Sequence, residues 1–253
     1  MIKFFRKIRQ NLLSEGKTGK YLKYAIGEII LVVIGILIAL QINNWNENKK
    51  EDKAEIALIE QLINDLEKDA ESLETLIPQV IDKADVIKQI YFETQNKTSF
   101  NESTNYGDLT WQAFAPLFFE QRHQLSIDQI SNHQISKSIL DYFNQQKIVE
   151  LQIEQTNEYV RTTIRPLLGE HGIMNSNYIM STDSYTEIRN DKSQFIKYDQ
   201  LRTIYGSQKF ESVIFEMRMT YIATTHQAEL LLDANKKLVE NLIFYIEGSN
   251  NED

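Results

Sequence analysis

The stretch that decides the fold is Ala25–Ile42, AIGEIILVVIGILIALQI, in which Glu28 and Gln41 are the polar side chains. At 1.5 Å per residue, its 18 residues form a helix of about 27 Å, close to the thickness of the hydrocarbon core of a bilayer. A helix buried in a soluble core could also be apolar on all sides, but that interpretation leaves the basic segment before it unexplained. The sequence therefore predicts a transmembrane helix at residues 25–42.

The charges on the two sides of this span predict its orientation. Residues 1–24 contain one acidic side chain, Glu15, and seven cations, which are Lys3, Arg6, Lys7, Arg9, Lys17, Lys20 and Lys23. The whole chain has a net charge of −9, so the sequence after the span is strongly acidic. Because Lys and Arg collect on the cytoplasmic side of a span, we expect a cytoplasmic N-terminus and extracytoplasmic residues 43–253. Trp45 follows the span, at the depth where indole rings meet the membrane interface.

A cleavable signal peptide is the alternative to a permanent anchor. Its charged region would be unusually long, its apolar region would be too long, and no small-x-small cleavage site follows Leu40. We therefore expect an uncleaved signal anchor. Residues 1–24 form a basic amphipathic segment, which we expect to lie on the anionic inner leaflet. A docking helix for a cytoplasmic partner is the alternative for this segment.

Three residues inside the span are candidates for more than a membrane anchor. Glu28 lies about one turn into the span, and an intramembrane carboxylate is a candidate functional group. Its shallow position favours pairing with Lys20 or Lys23 near the headgroups, where burying charge costs less. Gly35 and Ala39 form a small-xxx-small pair that could let two helices approach closely. Such a pair also arises by chance in an apolar stretch, so its signal is weak.

Three long segments after the span have helical periodicity. In Ile56–Tyr91, apolar residues recur at alternating steps of three and four, a heptad seam typical of packed helices and coiled coils. Ile135–Leu167 and Phe210–Tyr245 repeat their apolar residues at compatible spacing. None of the three alternates with period two, so strands are not expected. The sequence predicts an all-α protein, in which the transmembrane helix continues into a long-helix antiparallel bundle.

The lengths of two of these segments predict how they pack. Ile56–Tyr91 and Phe210–Tyr245 would each run about 52 Å as helices, so they can lie side by side along their whole length. The apolar stripe of the first is wider than a two-stranded coiled coil needs, which favours packing within the chain. The side chains that we expect to be buried against the last helix are Leu66, Leu73, Ile77 and Val80.

Proline and glycine predict where these helices are interrupted. Pro78 predicts a kink or a break in the first long helix, because proline removes a backbone hydrogen bond and clashes with the preceding turn. Pro166, followed by Gly169 and Gly172, predicts the end of the second. Trp111–Phe119 is interpreted as a short apolar helix broken by Pro116. Two irregular stretches, residues 96–107 and 169–192, separate the long helices.

The residue types that carry most enzyme chemistry are scarce. The chain has no cysteine and four scattered histidines, so we expect no metal site, cofactor or thiol nucleophile. Gly16-Lys17-Thr18 imitates the end of a phosphate-binding loop, but Asn11 occupies the position of the required first glycine. Arg161, Arg165 and Arg189 could bind an anion, although Arg161 and Arg165 lie near the end of a helix, where cations are stabilising in any case. We expect no enzyme, and the acidic outer region excludes nucleic-acid binding.

The stretch Tyr21–Glu47, YLKYAIGEIILVVIGILIALQINNWNE, resembles the start of a family of uncharacterised single-pass membrane proteins of flavobacteria-like Gram-negative bacteria. The resemblance is specific over Met1–Asp65 and more diffuse through Ser126–Leu168 and Phe210–Ile246. It is to a domain of unknown function, so it brings no activity or catalytic residue. It implies an anchor in the bacterial inner membrane and a helical periplasmic domain.

These observations predict three regions: a cytoplasmic segment at residues 1–24, a transmembrane helix at 25–42 and a periplasmic helical bundle at 43–253. The leading functional interpretation is a non-enzymatic protein-interaction or scaffold module that binds another membrane or periplasmic protein. The alternative is a sensor-like helical domain that binds a small molecule. An exposed apolar patch would favour the first, and a large apolar pocket between the long helices would favour the second.

Overall fold

The computed structural model describes residues 18–101, 103–183 and 193–250. Lys17 and the rest of the predicted amphipathic segment before it lie outside the described residues, as does the side chain of Lys20. The chain divides into two compact units, residues 1–57 and residues 58–253. We call the described part of the second unit the helical body, and we treat each unit by itself.

Helix α1, Thr18–Thr94, contains 77 residues and includes the predicted span. Pro78 lies inside α1, so the expected break at this residue is wrong. Pro78 is on the exposed side of the helix, where the disturbed backbone carbonyl can reach water. The helix ends instead at Thr94, shortly before Asn96, which adopts a left-handed φ of 54°. The amide of Lys97 then donates to the carbonyl of Phe92 at 2.9 Å, which is the Schellman geometry of helix ends.

The first unit presents its apolar side chains to its surroundings. From residue 29 to residue 42 every side chain on α1 is exposed, and the apolar ones include Ile34 at 46% and Leu37 at 58%. Among the described residues, one helix is long and apolar enough to cross a membrane, and it is α1. Trp45 is 57% exposed, and the Lys49 Nζ lies 4.9 Å from the centre of its ring.

The helical body is built around three long helices. They are residues 58–94 of α1, a rod formed by α3 (His133–Tyr159) together with α4 (Arg165–Glu170), and α7 (Gln208–Asn250). A π-helical turn, Val160–Ile164, joins α3 to α4, so the chain remains helical through Pro166. The rod does not end at Pro166 as predicted; it continues to Glu170 and is followed by Gly172, which has a φ of 64°. The described residues form no β-strand, and the all-α prediction is confirmed.

Contacts at both ends establish that α1 and α7 are antiparallel. Near one end, the Asn235 Nδ2 donates to the carbonyl of Leu66 at 2.9 Å, and near the other, the Gln95 Nε2 donates to the Glu211 Oε1 at 2.8 Å. The predicted core residues Leu66, Leu73 and Val80 are fully buried. Ile77 is half-buried at the edge of the core, and its neighbour Leu76 is buried instead.

Helix α3 is also antiparallel to α7 and therefore parallel to α1. The side chains of Tyr142 and Asn235 meet near one end, and the hydroxyl of Tyr159 donates to the carbonyl of Val213 near the other. Because two parallel helices cannot be joined by a short turn, the chain must travel back along the bundle between them. Residues 95–132 form this connection, which we call the return segment.

The return segment is mostly irregular. Its regular parts are two 3₁₀ turns, Tyr106–Thr110 and Ile127–Gln129, and the short helix α2, Phe119–His123. Residues 111–118 are not helical, so the prediction of an apolar helix at Trp111–Phe119 is wrong. Ala113 and Leu117 of this stretch are buried in the bundle core, whereas Phe114 and Phe118 are exposed.

A second irregular region joins α4 to α7. It contains α5 (Ser176–Ser181), an isolated bridge between Met174 and Ile196, a 3₁₀ turn at Ser193–Phe195, and α6 (Tyr198–Arg202). Ile173, Ile196 and Leu201 insert into the core, so this region covers one end of the bundle.

Candidate functional site

An apolar groove runs between α1 and α7 on the surface of the helical body. Its cavity has a volume of about 360 Å³. Its lining comprises Ile87, Lys88, Tyr91 and Phe92 of α1, and Ile214, Phe215, Arg218, Met219 and Ile222 of α7. We use the word groove for this set of residues.

The floor and the rim of the groove differ in exposure. Ile87 and Ile214 form the floor and are 1% exposed. The rim consists of Phe215, Met219 and Ile222, which are 62%, 47% and 44% exposed and lie at positions i, i+4 and i+7 of α7. Because this spacing places side chains on one helical face, the rim is a continuous apolar stripe about two turns long.

Two cations are the charged residues in this lining. Lys88 is exposed, and Arg218 is half-buried. The Nε of Arg218 is buried and has no hydrogen-bond partner among the described residues. Buried polar groups in proteins are almost always paired, because leaving one without a partner costs free energy. An acceptor supplied by a bound molecule would relieve this cost.

A cluster of hydroxyl groups around Glu93 fixes one end of the groove. The buried Glu93 carboxylate accepts hydrogen bonds from the hydroxyls of Tyr106, Tyr198 and Tyr205 at 2.6, 3.2 and 2.9 Å. Burial, reinforced by the negative charge of Glu93, raises the pKa of all three tyrosines. The cluster ties the end of α1 to the return segment and to the chain entering α7, so the spacing of the two groove helices is set there.

A second polar cluster holds the far end of the return segment. The Asp65 carboxylate accepts from Arg122 at 2.8 Å, from Lys68 at 2.8 Å, and contacts the His123 Nε2 at 2.9 Å. Burial alone would raise the pKa of Asp65, but the hydrogen bonds from Lys68, His123 and Arg122 outweigh it and hold the pKa well below its ordinary value. Arg122 and His123 thereby fasten the return segment to α1, and Lys68 adds a contact within α1.

One turn further along α1, Asp69 caps the short helix α2. Its carboxylate is 1% exposed and accepts from the backbone amides of Phe118 and Phe119 at 3.0 and 3.3 Å. Burial raises the pKa of Asp69, against the opposing effect of these two hydrogen bonds. The position of the carboxylate matches that of a helix N-cap, supplied here by a different helix.

The residues that the sequence singled out lie apart from the groove. Lys23, Glu28, Gly35, Ala39 and Trp45 are all on the part of α1 that belongs to the first unit. A Cβ atom placed on Gly35 would meet nothing within 4 Å, so none of the described residues packs closely against this glycine.

Of the three arginines considered as anion ligands, Arg189 lies outside the described residues, and the other two have partners within the body. The guanidinium of Arg161 donates to Glu154 at 2.6 Å. Arg165 donates to the carbonyl of Thr110 and to Gln112, both at 3.2 Å, and thereby holds the return segment. The described residues contain no group of three or more side chains that could hold a metal ion.

The sequence contains an indication of the groove, a second apolar stripe on the last helix, but the predicted seam of that helix included only the first stripe. That seam follows Ile214, Met217 and Tyr221, which are buried. Phe215, Met219 and Ile222 form a second apolar stripe beside it, so α7 is apolar over more of its circumference than one core requires.

Comparison with known proteins adds one match. Residues 28–103 match a family of unknown function, DUF6090. This range covers most of α1 and the start of the return segment, and therefore includes the α1 side of the groove but not α7. No curated protein and no solved structure matches the chain.

Proposed function

We propose that this chain is a single-pass protein of the bacterial inner membrane that acts without catalysis, by binding another protein. In this proposal the N-terminus is cytoplasmic and the helical body is periplasmic. The basic residues before the span and the acidic composition after it support this orientation. The exposed apolar surface of residues 29–42 supports a lipid environment, because exposing so large an apolar surface to water is unfavourable.

The groove is the single observation that carries the binding role. Its rim exposes a phenylalanine, a methionine and an isoleucine in one continuous stripe over a rigid pair of helices. Aromatic residues and methionine are enriched at protein interfaces, and apolar helices bind in grooves of this kind. The occupant that we propose is a helix of a partner protein.

A sensor-like domain that binds a small molecule is the second candidate function. The cavity volume of about 360 Å³ favours it, since small-molecule sites usually lie between about 300 and 1,000 Å³. The high exposure of Phe215 argues for a protein, because a small molecule would leave much of that ring in water.

Site-specific photocrosslinking in intact cells tests the binding role. A photoreactive amino acid at Phe215 is compared with the same amino acid at Phe244, a more exposed phenylalanine on the same helix. We expect a discrete adduct with one protein from position 215 and none from position 244. The identified protein, purified separately, should then bind the full chain in nanodiscs and lose binding with Phe215→Ser but not with Phe244→Ser.

Two results would contradict the proposal. Equal adduct patterns from both positions would mean that the groove is no binding surface. An adduct of twice the mass of the chain would mean that the groove joins two copies, and the partner protein would then be the chain itself.

A further inference from the structure

Arg218 distinguishes this groove from an ordinary apolar surface. Arg218 lines the groove together with Ile214, Met219 and Ile222, and its buried Nε has no acceptor among the described residues. A planar guanidinium offers two parallel donors that match the two oxygens of a carboxylate. The geometry at this position is therefore suited to receiving a carboxylate from outside the chain.

The charges of the groove are unusual for this protein. The lining contains Lys88 and Arg218 and no carboxylate, whereas acidic residues exceed basic ones in the chain as a whole. Neither cation makes an ion pair with another described residue. The electrostatic complement of this surface is thus an acidic group, and binding one would compensate two charges that lie beside apolar side chains.

Like charges argue against the chain's own surfaces as the occupant. A two-fold symmetric contact through the groove would bring the same patch of each copy together, and so Arg218 and Lys88 would face the same cations. The apolar face of the N-terminal segment is accompanied by Lys3, Arg6, Lys7 and Arg9, which carry the same sign as the groove. Either arrangement would add repulsion.

The shape of the groove fits a helix. Two antiparallel helices with an apolar channel between them accept a third along the same axis, as in a helical bundle. The rim residues at i, i+4 and i+7 would pack against apolar residues of the same spacing on the incoming helix. Arg218 lies within this stripe, so its partner must lie beside the apolar face of that helix.

We propose that the groove binds an amphipathic helix of another protein that carries Glu or Asp beside its apolar stripe, and that Arg218 pairs with this carboxylate. The inference rests on the proposed function, which places a partner helix in the groove, and it adds the chemistry by which that helix is recognised. Lys88 strengthens the attraction of the acidic helix from the α1 side, and the apolar stripe supplies the remaining contact.

Synthetic peptides test this recognition directly. The probe is an amphipathic peptide of about 18 residues, long enough to form a helix, with a leucine stripe and one flanking Glu. The matched peptide has Gln in place of that Glu. Each is titrated by fluorescence anisotropy against the full chain in phosphatidylcholine nanodiscs, and empty nanodiscs correct for binding to lipid.

The Glu peptide should bind about tenfold more tightly than the Gln peptide, as expected for a charge-assisted hydrogen bond. Arg218→Met keeps the apolar stem and should remove this difference. Arg161→Gln, which removes an exposed arginine already paired with Glu154, should leave it unchanged. Phe215→Ser should weaken both peptides, and circular dichroism should verify that each variant retains its helical content.

Several outcomes would overturn the inference and remain distinguishable from failure of the proposed function. In one such outcome, the two peptides bind the wild-type chain with equal affinity and both fail to bind the Phe215→Ser variant. That result would support a helix-binding groove but would show that a carboxylate is not recognised. Binding of dodecanoate in place of either peptide would make the occupant a small anionic amphiphile. Binding of neither probe would also refute the recognition chemistry, whereas the proposed function is decided by the crosslinking at position 215.

Discussion

The two parts of α1 differ in how their apolar residues are arranged and in how far those residues are exposed. Between residues 29 and 42 nearly every residue is apolar, and every side chain is exposed. Between residues 58 and 94 the apolar residues recur with helical period, and Leu66, Leu73 and Val80 are fully buried. One helix therefore contains a segment with no buried face and a segment with a well-defined buried face.

The difference shows how the distribution of apolar residues around a helix determines the surroundings that the helix requires. A helix that is apolar all round gains nothing from one particular neighbour, because lipid satisfies every face equally. A helix with one apolar stripe must cover that stripe with protein and leave its polar face in water. In α1 the uniform pattern ends at residue 42, a polar stretch follows, and the periodic pattern begins at Ile56, next to the boundary between the two compact units.

The largest predicted effect concerns the uniform segment. A reporter that is active only in the cytoplasm, fused after Asp253, should stay silent, and a periplasmic reporter should be active. Replacing Lys17, Lys20 and Lys23 with Glu should weaken or invert insertion, because these cations lie closest to the span. Reporter activity per fusion protein measures the change.

The matched control replaces the distal cations Lys3, Arg6 and Arg9 with Glu and should have a smaller effect. An unchanged topology in the first variant would mean that the helical body or the distal cations determine the orientation.

The second prediction separates the two patterns by stability. Leu73→Ala should lower the free energy of unfolding of the body by about 2–5 kcal/mol, because it opens a cavity in a packed core. Leu37→Ala, the same substitution in the uniform segment, should leave it unchanged. Urea denaturation in nanodiscs, followed by tyrosine fluorescence, measures both. Equal effects would mean that residues 25–42 contribute to the folded core.

The periodic segments predicted the long helices because a helical repeat depends only on residues that are close together in the sequence. The antiparallel pairing of α1 and α7 followed from equal lengths, and the contacts of Leu66 and Gln95 confirm it. The prediction that the helix breaks at Pro78 was wrong. The low helix propensity of proline is outweighed because core residues before and after it, Leu76 and Val80, are packed.

The return segment could not be predicted, because its structure depends on partners distant in sequence. Asp69 binds amides 49 and 50 residues away, and Glu93 binds hydroxyls up to 112 residues away. His123 had no local pattern, yet it is buried against Asp65. The groove depends on the same long-range contacts, since they fix the two helices that form it.

The third prediction uses a carboxylate of the periodic part, Asp65. Its pKa is lower in the folded chain than its ordinary value near 4, so the unfolded chain binds the proton first as the pH falls. The contribution of Asp65 to stability is therefore full above about pH 4 and is lost as the pH falls below it. Asp65→Asn should flatten this part of the curve of unfolding free energy against pH.

Asp69 must be considered in the same experiment, because its pKa is shifted in the opposite direction. Its contribution is full below about pH 4 and is lost as the pH rises above that value, so the two carboxylates change the stability on opposite sides of about pH 4. Lys68, Arg122 and His123 also face Asp65. The difference between the wild-type and Asp65→Asn curves gives the Asp65 contribution together with the effect of its charge on Asp69. A difference that does not depend on pH would contradict the assigned role of its hydrogen bonds.

The smallest predicted effect concerns Glu28, the carboxylate of the uniform segment. Two partners of Asp65, Arg122 and His123, come from residues far along the chain, whereas Glu28 lies about one turn into the predicted span, near the headgroup region. The cost of a charge in a bilayer falls towards the interface, so removing this charge should change insertion little. Glu28→Gln should alter the membrane-integrated fraction less than about twofold, which corresponds to less than 0.5 kcal/mol. Carbonate extraction measures that fraction, and Ile34→Glu, near the middle of the span, provides the contrast because there the same carboxylate should reduce insertion strongly. If Glu28→Gln inserts normally but abolishes crosslinking from position 215, then the carboxylate is coupled to partner binding, and the division of α1 into an anchor and a binding body is wrong.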